Sequence, residues 1–175
     1  MLGVVAQMRG DLGQARALMT RRIETARQLG DYAALGSESI NLSTVERQLG
    51  NLEQAEHLAI EALRVQQRRG DQWTIPYSLN GLAAIAVETA AFERAATLLA
   101  AAATMVDRQG NAWPPDEAPH FERSQVAVAA ALDPQRLQQA WSTGRGMSPT
   151  DAVRYALTPH PAPVAAPIEP SLVGG

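Results

Sequence analysis

The sequence predicts an all-α fold made of helix pairs stacked on a 40-residue period, and three observations lead there. First, one segment recurs: Gly10-Asp11-Leu12-Gly13-Gln14-Ala15-Arg16-Ala17-Leu18, then Gly50-Asn51-Leu52-Glu53-Gln54-Ala55-Glu56-His57-Leu58, then Ala90-Ala91-Phe92-Glu93-Arg94-Ala95-Ala96-Thr97-Leu98. Second, an independent series, Gly30-Asp31, Gly70-Asp71 and Gly110-Asn111, keeps the same spacing. Third, 46% of the residues are apolar but only 5% aromatic, and alanine makes up roughly a fifth of the chain, which suits closely packed helices with an aliphatic core.

Each marker has a mechanical reading. Gly takes the left-handed position after a helix, and the Asp or Asn that follows caps the free amides of the next helix. The alanine four residues further on lets that helix approach its neighbour, with Leu18, Leu58 and Leu98 three residues beyond on the same face. The first helices of the pairs are predicted at about 1–9, 34–49 and 75–89, and the second helices at about 12–29, 52–69 and 92–109. Thr74 is the expected cap of the 75–89 helix, where Pro76 is tolerated in the first turn. After Trp113-Pro114-Pro115, Asp116 is expected to cap a helix that runs to about Leu132. Asp133-Pro134 opens another, ending near Trp141 to Thr143, with Gly144 and Gly146 read as breaks. Ser148-Pro149-Thr150-Asp151 is a capping box for a short helix through about Leu157. Five of the 11 prolines fall in 158–175, which predicts a disordered or polyproline-like tail. The predicted organisation is thus three repeats over 1–110, the first one truncated, capping helices over 111–157, and the tail.

Composition narrows the function. With 175 residues the chain is one ordinary domain. Without cysteine it has no disulfide framework, thiolate zinc site or thiol nucleophile. No apolar run approaches the ~20 residues of a membrane span, and no signal-like start is present, so a cytoplasmic protein without membrane contact is expected. A net charge of −3 argues against direct nucleic-acid binding. All 15 basic residues are arginine.

The pattern resembles the tetratricopeptide repeat. The family's small residue of the first helix falls on Gly3, Ser43 and Ala83, each preceded by a leucine, and its second-helix alanine on Ala15, Ala55 and Ala95. The period departs from the family's usual ~34, and the early aromatic and the closing proline are missing. The resemblance implies a right-handed superhelix of about three helix pairs plus capping helices. The run Ala140-Trp141-Ser142-Thr143-Gly144-Arg145-Gly146-Met147-Ser148-Pro149-Thr150-Asp151-Ala152-Val153 is similar to the C-terminal end of large actinobacterial regulators. Those join a signalling-type ATPase module to helical repeats, with a LuxR-type DNA-binding domain or a nucleotide-cyclase domain. That likeness implies a sensor and interaction arm, with chemistry and DNA binding elsewhere in the polypeptide. The helix starting at Met1 has about half the length of its counterparts, and Met1-Leu2-Gly3-Val4-Val5-Ala6 is apolar where a terminal repeat normally presents a polar cap. This predicts a piece of a longer frame; the alternative is a self-standing scaffold that hides the edge by homodimerising.

Chemistry is sparse. There is no phosphate loop and no nucleophile elbow, so a non-enzymatic protein without cofactor or metal is predicted. Glu53, His57 and Glu61 share one helical face and read as a solvated face rather than a metal site, since Ala55 and Leu58 mark the buried stripe. Asp116, Glu117 and His120 sit at a helix start, where carboxylates are expected from the dipole. Arg21, Arg22, Arg64, Arg68 and Arg69 read as a solvated edge paired with Glu24 and Glu61. Trp73, Trp113 and Trp141 are expected at helix ends as packing anchors. The expected partner-binding surface is a concave groove of the first helices, lined by Ser37, Thr44, Arg47, Gln48, Tyr77, Asn80, Ala84 and Glu88. Its mixed lining suits a protein, a peptide or an upstream domain of the same polypeptide.

Overall fold

The computed structural model describes residues 2–115 and 117–159; the predicted cap Asp116 and all but the first two residues of the predicted tail lie outside them. Among the described residues the chain is all-helical. Its helices are α1 (Leu2–Met8), α2 (Leu12–Leu29), α3 (Tyr32–Gln48), α4 (Leu52–Arg69), α5 (Ile75–Glu88), α6 (Phe92–Arg108), α7 (Ala118–Ala131), α8 (Pro134–Gly146) and α9 (Pro149–Leu157). The first six fall within two residues of their predicted limits.

One turn is used six times. At Gly10, Gly30, Gly50, Gly70, Ala90 and Gly110 the backbone turns left-handed. The next amide reaches back to a carbonyl in the last helical turn: Asp11 to Ala6 (3.0 Å), Asp31 to Ala26 (2.9 Å), Asn51 to Glu46 (2.9 Å), Asp71 to Gln66 (3.0 Å), Ala91 to Ala86 (2.8 Å) and Asn111 to Val106 (3.2 Å). These bonds occupy carbonyls that a helix end leaves free. Ala90, at φ +58°, holds with a side chain a conformation that glycine adopts without steric cost. Asp11 and Asp31 then cap as predicted, accepting from Gln14 N and Ala34 N. Asn51 does not; its amide turns back to Glu46. Thr74 occupies the cap position of α5 but makes no capping bond, and Asp71 accepts the Thr74 amide instead.

The small residues lie at the closest helix approaches. Ala15, Ala55 and Ala95 are fully buried. A Cβ on Gly3 would stand 2.7 Å from Met19 Cγ, and the Ser43 hydroxyl donates to the Ala55 carbonyl at 2.7 Å. Two aliphatic cores result. Met19, Ile23, Leu35, Leu42 and Val45 anchor the smaller one under α1 to α4. The larger runs from Leu63 and Leu79 through Leu98 and Leu99 to Val153.

After α6 the repeat stops. The helix laid most extensively on α6 is α8 rather than α7, which packs against α5 and α6. Gly144 and Gly146 do not break α8; they are its last turn. Gly144 is where α8 touches α6: a Cβ there would lie 2.2 Å from the Thr97 carbonyl and 2.7 Å from Ala100 Cβ. The capping box opens α9 as expected, with Ser148 accepting the Asp151 amide and its hydroxyl donating to Asp151 Oδ2 at 2.6 Å. That hydroxyl, more than neighbouring Arg154, holds the Asp151 carboxyl below its ordinary range.

Candidate functional site

The predicted groove residues lie on α3 and α5, and α7 decides which of them an outside molecule meets. Trp113 stacks on Phe121 (centroids 4.6 Å apart) and meets Tyr77 edge-on (6.0 Å), which pins the entry of α7 against α5. Asn80 is 1% exposed, and its amide donates to Glu117 Oε2 at 3.0 Å. Asn80 Oδ1 has no hydrogen-bond partner among the described residues. Ala84 is buried too. Asn80 and Ala84, predicted to line an open groove, are therefore interior, and nothing in the helix pattern that placed them on the inner face signals the Asn80 bond to Glu117 at the start of α7. Arg47 pairs with Glu88 across α3 and α5 and also points at His120 Nδ1 (3.4 Å), which Arg123 approaches at 2.9 Å.

Beside this covered region an open cleft remains, of about 370 Å3. Thr44 and Gln48, both predicted, line it with Val4 and Gln7 of α1, Asn41 of α3, and His120 and Arg123 of α7. Ser37 is exposed and returns its hydroxyl to the Ala33 carbonyl. The structure thus brings Thr44 and Gln48 into one cleft, gathers Arg47, Tyr77, Asn80 and Glu88 under or beside α7, and leaves Ser37 apart. Only the fold-back of α7 brings the α1 and α7 walls together, and no local pattern in the sequence signals it.

Elsewhere the charged residues sort differently from expectation. Glu61 pairs with Arg27 (2.6 Å) rather than with Arg64, and Arg22 lies 4.0 Å from Glu38. Glu53 and His57 are exposed, and among the described residues no group of three His, Asp or Glu is placed to hold a metal ion. Glu46 is buried and accepts two bonds from Arg16, both 2.7 Å, plus one from Asn51. The Arg16 guanidinium holds its carboxyl below the usual carboxylate range against the opposing effect of burial. Trp73 is 61% exposed, while Trp141 lies inside α8, partly buried against the larger core, with Arg145 over its ring.

Arg94, to which the sequence reading gave no role, is 5% exposed. It donates to the carbonyls of Ala156 (2.7 Å), Thr158 (3.2 Å) and Tyr155 (3.4 Å) and fastens the C-terminal end of α9 to α6. A cation there suits the negative end of a helix dipole. The phase that gives Gln14 and Gln54 in the earlier repeats carries no signal of this task. No helix is long and apolar enough to cross a membrane among the described residues. No family model, no curated protein and no solved structure matches the chain.

Proposed function

We propose that the chain is a non-enzymatic interaction module, a tetratricopeptide-like right-handed superhelix that serves as the C-terminal sensor arm of a cytoplasmic bacterial regulator. The observation that carries this reading is the cleft between α1, α3 and α7. It combines neutral donors and acceptors on Asn41, Thr44 and Gln48 with apolar Val4 and Met8, a lining suited to a peptide or a loop of a partner domain. The likeness of the 140–153 segment to regulator C-termini supports the regulatory half. ATPase or cyclase chemistry then belongs to other parts of a parent polypeptide.

The test is affinity capture from the source cell with the parent chain and with Thr44→Trp, which fills the cleft. A partner held by the parent and lost by the variant is expected; identical captures sink the reading. A metal and nucleotide thermal-shift screen runs alongside, since a ligand selective for the folded state raises the melting temperature. A reproducible shift there would favour an enzyme instead.

A second reading rests on α1, where Leu2 (74%), Val5 (41%) and Met8 (79%) are exposed. A homodimer scaffold would bury them. Sedimentation of the parent and of Leu2→Glu/Val5→Glu decides it: a parent that stays monomeric at every concentration removes this alternative.

A further inference from the structure

Two equivalent furrows mark the side of the molecule formed by the second helices. Each is walled by two second helices and floored by the first helix between them. The furrow of α4 and α6 over α5 is filled, because α9 packs against all three. It inserts Ala152, Val153 and Ala156, Arg94 holds its last carbonyls, and Gln67 borders Thr150 and Arg154 on its outer side. One repeat earlier, α2 and α4 over α3 form an open groove of about 850 Å3. The repeat equivalents of Arg94 and Gln67 are Gln54 and Arg27, and both line it, with apolar Leu42 on its floor and Ile23 and Leu58 on its walls. The two furrows are one structural feature, once occupied and once vacant.

Charge distinguishes them. Arg16 and Arg27 are engaged by Glu46 and Glu61. Arg64 and Arg68 also line the groove and make no ion pair among the described residues, against one uncommitted acid, Glu24. We propose that the α2/α4 groove docks a short amphipathic helix of a partner protein, seated as α9 is seated in the next furrow, with small aliphatic residues inward and acidic residues on its flanks, toward the arginines of the α2 and α4 walls. The walls are long enough: α2 and α4 have 18 residues each, about 27 Å, against about 14 Å for a nine-residue helix. The inference deepens the interaction-module reading and rests on it.

The test uses the full chain and two fluorescent peptides: the α9 segment 148–157, and the same peptide carrying Arg154→Glu. The acidic peptide is expected to bind saturably and more tightly than its parent. Thr20→Trp, an exposed substitution that fills the groove, and Arg64→Glu/Arg68→Glu should each weaken binding about tenfold or more. Thr44→Trp, in the cleft on the other side, should leave it unchanged, and unaltered helix content and melting temperature certify the variants. No saturable binding below about 1 mM overturns the proposal, as does binding indifferent to Thr20→Trp. Binding lost in Thr44→Trp alone assigns the peptide to the cleft, which ends this proposal and leaves the module reading standing. If partner capture ignores Thr44→Trp while the peptide responds to Thr20→Trp, the cleft fails and the groove survives.

Discussion

Helices α2 and α6 hold the same place in the first and third repeats, yet their surroundings are opposite. In α2 one stripe is buried, Ala15, Met19, Ile23 and Ala26, with Leu12 and Leu18 partly buried beside it, and the other residues face solvent. In α6 every residue from Arg94 to Ala102 is buried. Position by position, Arg16, Thr20, Arg21 and Arg22 of α2 correspond to Ala96, Ala100, Ala101 and Ala102 of α6. The inner stripe is set by repeat phase and is common to both. The outer face is set by what lies on it: solvent and an open groove for α2, and α8 and α9 for α6. Alanine there is what lets a helix be covered on both sides at short range.

The sharpest way to break this comparison is to give α6 a residue of α2. Ala101→Arg forces a long cation into the contact with α8 and is expected to cost about 3–5 kcal/mol, read from the urea midpoint. A loss below about 1 kcal/mol would show the two helices to be interchangeable. Next in size, Arg94→Met leaves the carbonyls at the end of α9 unpaired and should cost about 2–3 kcal/mol, with amide protection lost first in α9 by hydrogen exchange. Unchanged protection in α9 would refute the clasp.

On the α2 side the main polar anchor is Arg16–Glu46. Because the folded-state pKa of Glu46 lies below the ordinary value of about 4.3, its contribution is complete above that value and is lost as pH falls through the lowered one. Glu46→Gln should therefore cost about 1 kcal/mol at neutral pH, a figure held down by the solvent exposure of Arg16. It should also flatten the acid limb of stability, and parallel pH curves would contradict the assignment. Ala90→Gly relieves the one left-handed residue with a side chain among the described residues and should stabilise by about 0.5–1 kcal/mol. Smallest is Arg21→Ala, the reciprocal of the first test, within about 0.5 kcal/mol by thermal melting.

What was legible in the sequence was local. A left-handed Gly followed by Asp or Asn states its own function within a few residues, so the limits of α2 and α4 could be read directly. Gly144 looked like a break because its reason for being glycine is the Thr97 carbonyl on a distant helix. Arg94 occupies a phase that holds glutamine in the other repeats and acquires its task only once α9 arrives. Of the expected groove residues only Thr44 and Gln48 line one cleft; Asn80 and Ala84 are buried, and nothing local in the sequence signals the Trp113 contacts with Phe121 and Tyr77 that seat α7 beside α5. Local rules placed the helices; non-local packing assigned their faces.

The reach of Arg94 has a consequence for the order in which the chain assembles. Its bonds to Tyr155 and Ala156 join residues 61 and 62 positions apart, while Ser43 to Ala55, within one repeat, spans 12. Closing the longer loop costs more chain entropy, by about 0.6 kcal/mol for each doubling of length, and low-separation contacts form sooner. Folding is therefore expected to begin in the repeats and to end with the C-terminal clasp. In reverse, α9 is expected to lift before the helices it covers during native-state fluctuations. Each such opening exposes the furrow between α4 and α6, so for a moment the protein offers two vacant seats of the same shape.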